Sequence, residues 1–205
     1  MLKGENNEYA RTSRKFRGIK SKRGSIVCAV VWCPVSRNIR FEKFVPAHAS
    51  AVAGWTQTVH ESSMWSGRAE HPFREETVLS WRQDPDSQAH ILSVSGTAAA
   101  YGELWLDSGN REAEVARIIV SPAARGQGLG VHLVHHLTAL AEEAGYPGIY
   151  MRVPPGNSAA LRCYTKAGFR PVDEESAASW NRSQPVEYVW LRHEPAHAAT
   201  LAVTL

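Results

Sequence analysis

Val120-Ser-Pro-Ala-Ala-Arg125-Gly-Gln-Gly128-Leu-Gly130-Val131 is the stretch on which the fold turns. It joins a β-patterned segment, Glu112–Val120, to Val131–Ala144, where Val131, Val134, Leu137, Leu140 and Ala141 recur at helical spacing. Glycines at such a junction let the backbone approach a ligand closely. The free N–H groups of a helix N-terminus attract an anion, phosphate above all. A dinucleotide fingerprint needs a third glycine at Val131 or Leu133, and neither position has one. A Walker A loop needs Gly-Lys-Ser/Thr, which is absent.

Outward from this loop the pattern is regular. Upstream, Ile39–Phe44 reads as a strand, Pro46–Gln57 as a helix, Glu61–Pro72 as a polar loop and Glu75–Arg82 as a short helix. His90–Val94 and Ala98–Leu106 flank Ser95-Gly96-Thr97 as a hairpin. Downstream, Gly145 and Pro147 stop the long helix, and Ile149–Val153 is a strand. A helix capped by Asn157 or Ser158 runs to Ala167 and closes at Gly168. Phe169–Val172 and Val186–Leu191 are the last strands. A helix between two strands of one sheet implies a parallel crossover, so the sheet is mixed.

Length and composition bound the rest. The 205 residues suit one domain with tails, and 43% hydrophobic with 21% charged residues is ordinary for a globular chain. No apolar run reaches the roughly 18–20 residues of a membrane helix. A signal peptide would need an n-region of about two dozen residues, and Val35-Ser36-Arg37 is a poor cleavage site, so a cytoplasmic location is expected. Cys28, Cys33 and Cys163 form no disulfide framework, and neither they nor the nine histidines show zinc spacing, so no metal is expected. Residues 1–24 carry eight basic residues against two acidic ones, within a net charge of +3. Such an arm could touch nucleic acid; the favoured reading is a solvated extension over residues 1–37, with a domain at 38–192 and a tail at 193–205.

Arg125-x-x-Gly128-x-Gly130 resembles the acyl-CoA pyrophosphate signature of the GNAT N-acetyltransferase superfamily. Its companions agree. Val120-Ser-Pro ends the strand before it, and Asn157-Ser-Ala-Ala-Leu-Arg-Cys-Tyr164-Thr-Lys-Ala-Gly168-Phe169 is similar to the family's N-x-x-A-x-x-x-Y-x-x-x-G-F block. The resemblance implies an α+β fold: a mostly antiparallel twisted sheet of six to seven strands, a splayed parallel pair in its middle, and about four helices. It implies acetyl-CoA as co-substrate. Ile118, Ile119 and Val120 would offer backbone groups to the pantetheine arm. Arg125, Gly126, Gln127, Gly128, Leu129 and Gly130 would wrap the pyrophosphate, and Asn157 would bind or support the pantetheine.

Acyl transfer to an amine needs a proton removed from the amine, donors for the thioester oxygen and a proton for the departing thiolate. The resemblance gives the last task to Tyr164. Glu114, eleven residues before Arg125, stands where histone-type members carry a basic glutamate. Glu103, on the neighbouring strand, is the second candidate base, and water is the third. Ribosomal-protein acetyltransferases place a glutamate five residues before the asparagine; here Arg152 stands there, which disfavours a protein N-terminus as acceptor. Glu103, Asp107, Glu112 and Glu114 suggest an acidic mouth suited to a cationic amine, and Trp65, Trp105 and Trp180 suggest pocket walls. The expected activity is acetylation of a small-molecule primary amine, with a homodimer as one expected assembly and neither membrane nor nucleic acid as partner. The alternatives are a protein lysine or N-terminal acetyltransferase and a non-catalytic acyl-CoA-binding module.

Overall fold

The computed structural model describes residues 38–194 and the backbone of two short strands before them. The chain divides into two compact units, Met1–Ser36 and Arg37–Leu205. In the first, β1 (Ile19–Lys20) pairs antiparallel with β2 (Ile26–Val27). The remainder of the basic arm, and the tail from residue 195, lie outside the described residues.

The second unit holds a seven-stranded sheet. Its strands are β3 (Ile39–Lys43), β4 (Ser87–Val94), β5 (Thr97–Asp107), β6 (Glu112–Val120), β7 (Gly148–Val153), β8 (Phe169–Pro171) and β9 (Val189–His193). They lie in the order β3-β4-β5-β6-β7-β9-β8. Every neighbouring pair is antiparallel except β6 and β7. The last strand thus begins three residues later than the sequence pattern places it and ends at His193.

The helices are α1 (Ala49–Ala53), α2 (Val59–Ser66), α3 (Glu75–Ser80), α4 (Leu129–Glu143), α5 (Ser158–Lys166) and α6 (Glu174–Asn181). Six α-helices stand where about four are expected. The expected helix at Pro46–Gln57 is a 3₁₀ turn, Pro46–His48, running into α1 and ending at Gly54. The first half of the expected loop at 61–72 belongs to α2. That helix has little apolar periodicity to betray it, but Thr58 caps it, accepting from the Glu61 N–H. α6 was not expected at all. Asp173 starts it in the same way, accepting from the Ser176 N–H.

Strand side chains alternate between faces, so the sheet builds two cores. On one face Leu92, Ala100, Leu104, Val115 and Met151 pack with Leu133, Val134, Leu137 and Ala141 of α4 and with Tyr164 of α5. Burying each large aliphatic chain there contributes about 1.5–3 kcal/mol. On the other face Ile91, Tyr101 and Ile119 meet Val52, Trp55, Phe73, Val78 and Trp81 from the α1–α3 region.

Two irregularities open the sheet at its centre. β6 and β7 pair only over Glu112–Glu114 and Gly148–Tyr150, and β7 then turns its other edge to β9. The β7-facing edge of β6 beyond Glu114 therefore has no strand beside it. The second irregularity is a bulge: Tyr101 pairs with Ile119 and Glu103 with Ala116, so Arg117 and Ile118 together oppose Gly102. Arg117 sits at φ +47, a conformation that costs a non-glycine residue roughly 1–2 kcal/mol.

Candidate active site

The splay between β6 and β7 is the mouth of a cavity of about 830 Å³. At one end lies the loop after β6. Gly126 and Gly128 take φ +75 and +81, and Gly128 starts α4 without a side-chain cap. The backbone N–H groups of residues 126–130 donate to no acceptor among the described residues. Those amides, at the positive end of a 15-residue helix, could cradle a phosphate-bearing ligand. Gly130 also allows α5 to pack closely, since a Cβ there would stand 3.0 Å from the Cys163 sulfur. The Arg125 guanidinium is engaged elsewhere: it pairs with Glu61 at 2.9 Å and donates to the Trp55 carbonyl at 3.0 Å. It thereby ties α2 to the loop, and it holds the Glu61 carboxyl below its ordinary pKa.

Along the cavity run Val115–Val120 of β6, Val153 at the end of β7, Pro154 after it, the cap residue Asn157, and Cys163 and Tyr164 of α5. Ile118, Ile119 and Val120 lie on the stretch of β6 whose β7-facing edge is open. Asn157 caps α5 through its side-chain oxygen, which accepts from Ala160 at 3.1 Å, and its amide nitrogen has no partner among the described residues. Tyr164 is buried, yet its hydroxyl bonds to no described residue. Burial, with the nearby Cys163 thiol, raises its pKa, so the phenol stays protonated across the physiological range.

The far end of the cavity holds Glu114 and two arginines. Glu114 lines it and forms a 2.8 Å ion pair with Arg152 of β7. Burial raises the Glu114 pKa, while Arg152 and Arg117 oppose the rise. Glu103 lines neither this cavity nor the adjacent one. It is fully buried and accepts from Tyr101, from Trp105 at 2.6 Å, from Arg117 at 2.7 Å and from Ser87 at 3.3 Å. A carboxylate so saturated holds the bulge: it anchors Arg117, whose carbonyl accepts from Trp65 of α2 at 2.8 Å. The sequence offered one signal for this, a glycine inside a strand pattern at Gly102. A Cβ there would meet Ile118 at 2.3 Å.

The four acids expected at one mouth are divided: Asp107 and Glu112 line the neighbouring cavity, Glu114 lines both, and Glu103 lines neither. Glu103 lies beneath Arg117, Glu114 is paired with Arg152, and Asp107 is bonded to Asn110 within a turn. Trp65 and Trp105 wall the main cavity. Trp180 instead lines a neighbouring cavity of about 530 Å³, which shares Trp105, Glu114 and Gln184 with the first. Gln184, Tyr188 and Arg117 complete the far end, and none of the three was singled out as a site residue from sequence.

Residues 55–169, more than half of the chain, match the acetyltransferase (GNAT) family. The chain belongs to the GNAT family. Its members are acyl-CoA-dependent N-acetyltransferases. A mycothiol acetyltransferase from Jonesia denitrificans is 34% identical over 113 residues, covering 54% of this chain and 34% of that protein. A streptothricin acetyltransferase from Streptomyces lavendulae is 27% identical over 96 residues, 46% of this chain and 51% of that protein. This GNAT chain therefore spans only about a third to a half of those relatives. The solved structure of AAC(6')-Ib in complex with parmomycin and acetyl-CoA superposes with a TM-score of 0.61 at 17% identity, over 82% of this chain and 99% of that one. At that identity the likeness is one of fold.

Proposed function

We propose that this GNAT chain is an acetyl-CoA-dependent N-acetyltransferase that acetylates a primary amine of a small molecule by direct attack. One observation carries the reading: the unpaired edge of β6, Gly130 at the end of the run of unbonded amides, Glu114 and Tyr164 all line one cavity. The amide cradle and the β6 edge fit the pyrophosphate and the pantetheine arm of acetyl-CoA, which supplies the acetyl thioester.

Glu114 is the candidate base. Its raised pKa brings a buried carboxylate nearer to the acidity of an ammonium ion, which favours proton removal as the amine nitrogen bonds to the carbonyl carbon. The bulge at Arg117 turns backbone groups of β6 out of the ladder, where an N–H can meet the developing oxyanion. Tyr164 donates its proton toward the sulfur as the carbon–sulfur bond breaks. The burial that raises the phenol's pKa also disfavours the thiolate, so the two affinities for the proton move together. Trp65 on one side and the Gln184–Tyr188 segment on the other wall the acceptor end, which supports a small acceptor over a protein segment.

A cytoplasmic location and a homodimer belong to this reading. Among the described residues no helix is long and apolar enough to cross a membrane, and no group of His, Cys, Asp or Glu is arranged to hold a metal ion. The test is thermal denaturation with and without acetyl-CoA, followed by thiol release with a panel of amines. Stabilisation by acetyl-CoA and amine-dependent release are the expected results. No stabilisation would exclude the cradle, and stabilisation with no release from any amine would leave a binding module.

A further inference from the structure

The acceptor end of the cavity carries two arginines that the acetyl-transfer chemistry does not require. Arg117 and Arg152 both line it, and they flank the same indole, with guanidinium carbons 4.8 and 5.4 Å from the Trp105 ring centre. Arg117 also lies 4.0 Å over Trp81, and Arg152 stands 5.7 and 5.6 Å from the rings of Tyr188 and Trp190. Aromatic faces hold the two planar cations in place and shield them from water. Their side chains are nevertheless 22% and 27% exposed, and both line the cavity.

Neither guanidinium is saturated. Arg117 spends one nitrogen on Glu103, and Arg152 spends two, on Glu114 and on Gln184 at 3.1 Å. The Arg117 Nε and Nη2 and the Arg152 Nη2 donate to no described residue. The carboxylate that compensates Arg117 is fully buried behind it, so a ligand meets the cation rather than the pair. The open acids, Asp107 and Glu112, line the neighbouring cavity instead.

We infer that the acceptor is an amine that carries a carboxylate close to the amino group, an amino acid or its close analogue, with Arg152 as the residue that selects it. This rests on the acetyltransferase reading and deepens it. The Glu114–Arg152 pair is a fixed dipole, a carboxylate against a guanidinium at 2.8 Å. An amino acid head group is the complementary dipole. Its ammonium meets Glu114, the group proposed to deprotonate it, and its carboxylate takes the free Nη2 of Arg152, with the free Nε and Nη2 of Arg117 alongside. A polyamine or any purely cationic acceptor would set a like charge against both arginines. Planar, prepositioned guanidinium donors suit a carboxylate, and such charge-assisted bonds are the stronger kind.

The test is a matched-acceptor comparison with the full chain and acetyl-CoA. The α-, β- and γ-amino acids are each run against the decarboxylated amine and the carboxamide, with polyamines and aminoglycosides as further arms. Free thiol is the readout. For the preferred amino acid, kcat/KM should exceed that of its amine and its amide by about 10- to 100-fold, the range of one or two charged hydrogen bonds. Arg152→Gln should collapse this ratio, mainly through KM, and Arg152→Lys should restore part of it. The ratio is read because losing Arg152 also perturbs Glu114, which lowers the rate with every acceptor alike. Should Arg152→Gln not fold, the wild-type ratio still decides. Preference for amines, polyamines or aminoglycosides over every amino acid overturns the inference, as does a ratio unchanged in a folded Arg152→Gln protein. So does thiol release from no member, combined with no stabilisation of the CoA complex by any amino acid. Absence of stabilisation by acetyl-CoA is the separate failure of the acetyltransferase reading.

Discussion

At Tyr164 the ring and the hydroxyl have different roles. The ring packs in the core with Leu133 and Leu137, while the hydroxyl faces the cavity without a protein partner. Tyr164→Phe should therefore lower kcat by about 10- to 1,000-fold with little change in acetyl-CoA affinity, since only the proton donor is lost. Steady-state kinetics beside a melting curve separates that outcome from misfolding. Glu114 makes a prediction in pH. A base must be deprotonated to act, so activity rises with pH through its pKa. Burial raises that pKa, which places the acid limb of kcat/KM above the ordinary carboxylate range. Glu114→Gln should remove this limb and depress the rate most near neutrality. Partial recovery should follow at higher pH, where more of the amine is already free. Arg152→Gln should move the limb to still higher pH, because the first cation opposing the rise is gone. A pH profile of Glu114→Gln that parallels the parent's would assign deprotonation to water.

Among the elements, the turn from β6 into α4 is the one most fully written in local sequence. Its glycines, the strand before it and the apolar stripe after it are all short-range signals, and β6 occupies Glu112–Val120 as the pattern requires. The Asn157 cap and the Gly168 stop of α5 are of the same kind. What was not legible depends on partners distant in the chain. α2 is a helix because Thr58 caps it, Trp65 reaches Arg117 and Glu61 holds Arg125, contacts spanning 52 and 64 residues in the last two cases. Glu103 and Glu114 look alike as strand carboxylates. Only the bulge and the splay bury one under Arg117 and bring the other to the cavity. The element-scale prediction concerns Gly128. At φ +81 any side chain is strained, and Val, being β-branched, is among the worst. Open space surrounds its missing Cβ, so the damage falls on backbone direction rather than on packing. Gly128→Val should turn the cradle amides away and abolish stabilisation by acetyl-CoA, while the protein without ligand loses roughly 1–2 kcal/mol. Retained acetyl-CoA stabilisation in that variant would place the pyrophosphate elsewhere.

Across the whole molecule the two cores meet at the central sheet, and the bulge is where both press on the site. Ile118 points toward α4 and Ile119 toward Tyr101 and the α1–α3 face, with Arg117 at positive φ between Ala116 and that pair. The glycine opposite makes this geometry spatially feasible. A Cβ on Gly102 would stand 2.3 Å from the Ile118 methyl, 3.0 Å from Leu137 and 3.2 Å from Leu133. The first contact is with the end of a flexible side chain, but Leu133 and Leu137 are fully buried in α4 and leave Ile118 little room to retreat. Gly102→Ala should therefore cost about 1–3 kcal/mol by overpacking. For a unit of this size that is a fall in Tm of several degrees. The route by which the strain relaxes decides what else changes. If Ile118 moves, the bulge moves with it, and kcat falls while the amide cradle, five or more residues further on, still binds acetyl-CoA. If α4 lifts from the sheet instead, the cradle at its N-terminus shifts, and acetyl-CoA stabilisation weakens in step with Tm. The sheet side is the expected one, because α4 is held by a continuous apolar stripe from Leu129 to Ala141, whereas Arg117 is already strained. Measured on one Gly102→Ala preparation, a lowered kcat with intact acetyl-CoA binding would support that order, and the reverse pattern would show α4 to be the softer element.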